Sequence, residues 1–225
     1  MGRTAVVTGA TGGIGSAVVA ALGARGVRVF ALGRDAERLE RLTSAGVTPI
    51  AFELGGPDDA PAPLRGLDRL DALVHCAGIA PVLPVADTTA DAWRDVLAAN
   101  LVGPARLTAA LLPALRASRG AVVFVGMAPG MRDVPRWSSY VGSKAALREL
   151  AGSLRAEERG NGLRVALISP GGTATPLLRQ VREAFGGRYD PAEALPAEVV
   201  ATAVADLVTG PSGNWRDEVE VTRPG

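Results

Sequence analysis

Residues Thr4–Thr8 make a short apolar run that passes directly into Gly9-Ala10-Thr11-Gly12-Gly13-Ile14-Gly15, and an Ala/Val/Leu-rich segment of helical character then continues to about Arg25. A strand, a glycine turn and a helix in immediate succession restrict the fold more than any other feature of the chain. Glycines let the backbone turn tightly and let phosphate oxygens approach, while free N–H groups and the helix dipole favour negative charge at that end. The pattern predicts a seat for the pyrophosphate of a dinucleotide, lined by Gly9, Thr11, Gly13, Ile14 and Gly15. An ordinary glycine-rich strand-to-helix turn is the alternative.

The remainder of the chain repeats the alternation. Thr4–Thr8, Val27–Leu32, Thr48–Phe52, Ala72–His75, Ala121–Val125, Arg164–Ile168 and Glu218–Val221 read as strands, with helical segments between them. These strands are continuously apolar rather than alternating, as in a parallel sheet covered on both faces. The expected fold is therefore α/β: a doubly wound parallel sheet (Rossmann fold) of about seven strands, in a single domain over residues 1–225. Gly55–Pro63, rich in Gly, Pro and Asp, reads as a loop too short to link two domains.

Composition narrows the classes of partner. The 24 basic and 23 acidic side chains leave a net charge of +1, so no global field draws the chain to nucleic acid or an anionic membrane. Apolar stretches are broken by Gly, Arg or Asp before about 18 residues, the length a membrane helix needs. One cysteine, Cys76, excludes an internal disulfide, and the N-terminus lacks a secretory apolar region, so a cytoplasmic location is expected. One His beside one Cys makes no metal site, and none is expected.

Of the 24 basic residues, 23 are arginine; the single lysine is Lys144. It follows Tyr140 by four positions in a segment, Ser138–Arg159, that reads as a helix, which places both side chains on one face. Reducing a carbonyl requires a proton as hydride arrives, and a phenol with a pKa near ~10 needs a nearby cation to supply one at neutral pH. Tyr140 and Lys144 are the candidate pair; a tyrosine and a lysine on a solvated helix face are the plainer alternative. Asn100 interrupts another helical run, Ala92–Leu112, where propensity does not explain it. At the end of the second strand, where an NAD-preferring site carries a carboxylate, stand Gly33 and Arg34. Arg34 suits the 2′-phosphate of NADP(H), with NAD(H) less favoured; a surface arginine beside a helix cap is the plainer alternative. His75, the lone histidine, either contacts the cofactor or caps its strand.

Several segments together resemble the short-chain dehydrogenase/reductase (SDR) family. They are the turn Thr8-Gly9-x-x-x-Gly13-Ile14-Gly15, His75-Cys76-Ala77-Gly78 where the family has Asn-Asn-Ala-Gly, Asn100-Leu-Val-Gly, Tyr140-x-x-x-Lys144, and Pro170-Gly171-x-x-x-Thr175. The resemblance implies an NADP(H)-dependent oxidoreductase acting on a carbonyl or alcohol, with Tyr140 as acid/base. Lys144 would also hold the nicotinamide ribose, and Asn100 would support a proton-relaying water. It places Glu53 and Leu54 beside adenine and adds Cys76, Ala77, Gly78, Pro170, Gly171, Thr173 and Thr175 to the cofactor site. It makes residues 172–189 a substrate lid, whose stripe Leu177, Leu178, Val181 and Phe185 reads equally as core packing. Met127 and Trp137, with Leu177 and Phe185, are the candidate substrate contacts. Arg179, Arg182 and Arg188 form either a solvated face or a greeting for an anionic substrate. Helices Gly103–Ala117 and Ser138–Arg159 correspond to the family's subunit interface, so a homodimer or homotetramer is expected.

One departure bears on activity. Thirteen residues before the tyrosine the family carries a serine that hydrogen-bonds the substrate carbonyl; here that position is Met127, and no Ser or Thr lies between Ala121 and Val134. A thioether donates no hydrogen bond. The rival expectation is thus an NADP(H)-binding relative with non-redox chemistry or a binding role.

Overall fold

The computed structural model describes residues 2–131, 133–211, 213 and 215–223. Asn214, read from sequence as a turn residue, and the tail Pro224–Gly225 lie outside them. All seven expected strands form: β1 Thr4–Thr8, β2 Arg28–Gly33, β3 Val47–Ala51, β4 Ala72–His75, β5 Ala121–Val125, β6 Arg164–Pro170 and β7 Glu218–Val221. They pair in parallel in the order β3-β2-β1-β4-β5-β6-β7. The order reverses between β1 and β4. In a doubly wound sheet the crossovers on either side of such a point leave to opposite faces and open a crevice beyond the strand ends.

Strand alternation sends neighbouring residues into two separate cores. Val7, Ala31, Val74, Val123 and Ile168 face α1 (Gly13–Gly23) and α7 (Ala197–Thr209), where they meet Val18, Leu22, Val200 and Val204. Val6, Leu73, Phe124 and Leu167 face the other way, onto Leu107, Leu111, Leu147 and Leu154 of α4 (Gly103–Ser118) and α5 (Ser138–Glu158). With both faces covered, the continuously apolar strands of the sequence have their physical explanation.

α3 (Ala90–Leu97) and α4 are joined by one π-helical turn, Ala98–Val102, with Asn100 at its centre. Ala90–Ser118 is therefore one continuous helical stretch, and its best 18-residue window has a mean hydropathy of 1.3. Gly103 and Arg106 still interrupt its apolar run, as read from the sequence. Length and composition alone do not make it a span: Leu107, Leu111 and Leu115 are fully or almost fully buried against the sheet, as in any core helix.

α2 (Ala36–Glu40) is capped by Asp35, whose carboxylate accepts from the Arg38 N–H at 3.0 Å. α6 (Pro176–Ala184) is capped by Thr175, whose hydroxyl accepts from the Leu178 N–H at 3.1 Å. The α6 stripe belongs to neither main core. Val181 is buried in a third cluster with Ala80, Val82, Trp137 and Tyr140, and Leu177 and Phe185 pack on its edge. The stripe therefore packs, against the cluster that holds Trp137 and Tyr140.

Candidate active site

Gly9 turns with φ +63°, and a Cβ there would sit 2.7 Å from the Ala77 backbone; one on Gly15 would lie 2.1 Å from the Gly9 carbonyl oxygen. The turn is therefore pressed against the loop after β4 and against the start of α1, and only glycine fits both positions. Gly12 caps α1 without any side-chain partner, and the first turn carries no acidic residue. Its leading N–H groups are left to an anion.

Above this turn lies a cavity of about 240 Å3. Gly9, Thr11, Gly13, Ile14, Gly15, Arg34, Leu54, Cys76, Ala77, Gly78 and Thr175, all candidate cofactor residues, line it. Glu53 does not: the wall there is built by its neighbours Phe52 and Leu54. Gly78 matters at the floor, since a Cβ would fall 3.2 Å from Asn100 Oδ1 and 3.6 Å from Lys144 Nζ and fill the space between them. The bare helix terminus, the exposed Arg34 and this open floor suit an elongated anionic dinucleotide.

A second, mostly apolar cavity of about 100 Å3 adjoins the first, and the two share Ile14, Cys76, Gly78, Thr175 and Leu177 as walls. Tyr140, Lys144, Trp137, Pro170, Gly171 and Thr173 line it. Trp137 stacks on Tyr140 with ring centroids 4.4 Å apart, and Phe185 meets the indole edge-on at 6.0 Å. Phe185 thus packs against Trp137 and does not line this cavity. Met127 is also displaced from its expected place: it lines a groove along α5 with Val141 and Ala145, while Gly126 faces the cavity.

The polar groups are held by a compact network. Asn100 is fully buried; its Oδ1 accepts from the Ile79 N–H at 2.9 Å, and its Nδ2 donates to the Ile79 carbonyl at 3.0 Å and to Ser143 Oγ at 2.9 Å. Ser143 Oγ in turn donates to the Tyr140 carbonyl at 2.7 Å. Lys144 Nζ donates to the Val125 carbonyl at 2.8 Å and lies 5.9 Å from the Tyr140 ring centroid. Burial pushes the Tyr140 phenol up to about 12 and the Lys144 ammonium down to about 8. The expected lowering of the Tyr140 pKa by Lys144 is absent from this arrangement, where burial is the cause of the shift and the ammonium stands 5.9 Å from the ring centroid.

His75 plays neither role expected of it. It is buried inside the sheet, stacked on Phe124 at 4.9 Å, with Nε2 2.9 Å from Thr108 Oγ1; burial, helped by Lys144, pushes its pKa down to about 3. Cys76 is half-buried, and desolvation raises its thiol to about 12. Among the described residues no three His, Cys, Asp or Glu side chains converge as a metal site would require. Two contributors escaped the sequence reading. Ser143 lies within Tyr140-x-x-x-Lys144, where the ends of the motif drew attention from its middle. Arg38, four residues beyond Arg34, reaches back to donate to the Thr11 carbonyl at 2.6 Å.

A family model described as short chain dehydrogenase matches residues 3–185. The chain belongs to the short-chain dehydrogenase/reductase family. An uncharacterized short-chain type dehydrogenase/reductase of Sinorhizobium fredii is 32% identical to this SDR over 98% of the chain and 89% of its own length. Rat dehydrogenase/reductase SDR family member 7B is 35% identical over 82% of this chain and 62% of its own. Among solved structures, a short chain dehydrogenase/reductase family protein superposes with a TM-score of 0.87 at 30% identity, covering 98% of this chain and 96% of that one. A short chain dehydrogenase from Shigella flexneri complexed with NADP superposes with a TM-score of 0.84 at 27% identity, covering 97% and 96%.

The buried lysine gives this SDR a measurable signature. A Lys pKa lowered on folding destabilises the protein in full below the folded value, and the penalty is relieved as pH rises from about 8 towards the ordinary value of 10.5. Urea unfolding of wild type and Lys144→Met without cofactor should show wild type gaining on the variant across that window. A difference independent of pH would mean that Lys144 is not buried as a cation.

Proposed function

We propose that the protein is an NADP(H)-dependent oxidoreductase that moves hydride between nicotinamide and a small, largely apolar carbonyl or alcohol substrate. The observation that carries this reading is the placement of Tyr140 and Lys144 in the apolar cavity that shares five walls with the crevice over the glycine turn. Bound along that crevice, a nicotinamide dinucleotide supplies or accepts the hydride. Trp137 holds the Tyr140 ring by stacking, so the phenol is presented to a substrate oxygen in one orientation and exchanges its proton with it. The Lys144 ammonium steadies charge beside the phenol and is placed to hold a ribose hydroxyl. Burial that raises the phenol pKa keeps Tyr140 protonated until substrate arrives, and the proton is given up as hydride transfer generates an alkoxide more basic than the phenolate.

Asn100 has both ends of its side chain committed, so a water held there would be held by its main-chain carbonyl. Arg34, with Arg38 over the same turn, is the reading for a 2′-phosphate. Met127 is the one observation favouring the rival: with no side-chain donor at that place, carbonyl polarisation rests on Tyr140, and a relative that has left redox chemistry remains the second reading. A cytoplasmic homo-oligomer joined through the outer faces of α4 and α5 completes the proposal.

Tyr140→Phe should cut carbonyl reduction by ~10²–10⁴-fold, the usual worth of a positioned acid, while leaving NADPH binding intact by calorimetry; undiminished turnover would refute the role. Arg34→Gln should raise the KM for NADPH by about tenfold, by loss of a charge-assisted pair to phosphate, and leave that for NADH alone. An equal effect on both would make Arg34 a plain surface residue.

A further inference from the structure

On the far side of Leu178 from Tyr140 lies a cleft of about 200 Å3 that shares Gly171, Gly172 and Leu178 with the apolar cavity. The partition between the two is thin. Gly171 and Gly172 contribute only backbone to it, and a Cβ on Gly172 would already touch the Leu178 methyl groups at 3.7 Å. Leu178 and Arg182 are one turn apart on α6, so one face of that helix looks first into the apolar cavity and then into the cleft.

The cleft has the opposite character from its neighbour. Arg182, Arg188 and Arg223 line it. Among the described residues eight arginines are ion-paired, and Arg182 and Arg188 are not among them. Arg223 is fixed by a hydrogen bond from Nη1 to the Ala192 carbonyl at 2.7 Å. Asp190 and Glu193 also border the space, but the Asp190 carboxylate is committed to the Ala192 N–H at 2.9 Å. Three guanidinium groups thus face two carboxylates, and among the described residues none of the three is ion-paired. Arg179, by contrast, is drawn over the Tyr189 ring at 5.1 Å and lines a different surface hollow.

We propose that this cleft seats an oxyanionic group, carboxylate or phosphate, of the substrate whose carbonyl lies against Tyr140, with the connecting apolar portion passing Leu178. The inference rests on the oxidoreductase reading above and narrows its substrate class to anionic carbonyl compounds. Guanidinium groups suit either oxyanion, since both accept paired N–H donors.

The test uses NADPH with 4-acetylbenzoate, 4-acetylphenyl phosphate and the neutral methyl 4-acetylbenzoate. Wild type should favour one or both anions over the ester by about tenfold in kcat/KM, the scale of a charge-assisted contact, with the preference lying in KM. Arg182→Gln combined with Arg188→Gln should bring the preference close to unity, whereas Arg179→Gln should keep it. The better of the two anions identifies which oxyanion the cleft takes. No preference in wild type, or an equal loss with Arg179→Gln, overturns the proposal while leaving the oxidoreductase reading intact. If none of the three ketones is reduced, that reading fails instead, and calorimetry of the two anions with NADP⁺-loaded protein decides the cleft. Binding weakened by the double variant supports it; binding that is absent or unaffected overturns it.

Discussion

A single buried amide joins the parts of the site that come from distant stretches of chain. Asn100 bonds the loop after β4 through both polar atoms of Ile79, and it bonds α5 through Ser143, whose hydroxyl continues to the Tyr140 backbone. The π turn Ala98–Val102 brings that amide into place. A π turn in an otherwise regular helix costs hydrogen-bond geometry and is commonly found where function needs a side chain re-aimed. Removing the amide would strand buried partners at about 1–3 kcal/mol each, so the position of Tyr140 and Lys144 depends on this residue although it lines neither cavity.

The electrostatics follow from the same burial. Tyr140 and Lys144 are both disfavoured in their charged forms, the phenol pushed up to about 12 and the ammonium down to about 8. In this condition the phenol holds its proton more firmly, and the ammonium less firmly, than either does in water. Anionic groups entering the crevice would raise the Lys144 pKa again, because an opposite charge nearby favours the charged form. Occupancy of the crevice and the protonation of Lys144 are therefore coupled, and Gly78, with no side chain between Asn100 and Lys144, keeps that coupling open.

Much of this was legible in the residues. Apolar strands separated by helical segments specified the doubly wound sheet, and the glycine turn specified its crevice, because both depend on local pattern and on steric needs that only glycine meets. The pair Tyr140 and Lys144 was legible from helical spacing and from the rarity of lysine. Other features depended on tertiary neighbours that spacing does not encode. Met127 and Phe185 were expected to contact substrate, but the loop after β5 lays the first along a groove of α5, and Trp137 stands between the second and Tyr140. The effect of Lys144 on Tyr140 was read as charge against charge, whereas burial sets the direction of the Tyr140 shift. The cleft of Arg182, Arg188 and Arg223 brings together two segments of chain that nothing in their local sequence connects.

The central claim is that the two adjoining cavities bring a nicotinamide and a carbonyl into reacting contact. Incubating the protein with NADPH deuterated at both C4 positions and a panel of ketones, then analysing the alcohol by mass spectrometry, tests this directly. One deuterium on the carbinol carbon for each NADPH consumed is the predicted result; product without label, or ketone converted while NADPH stays constant, would contradict it.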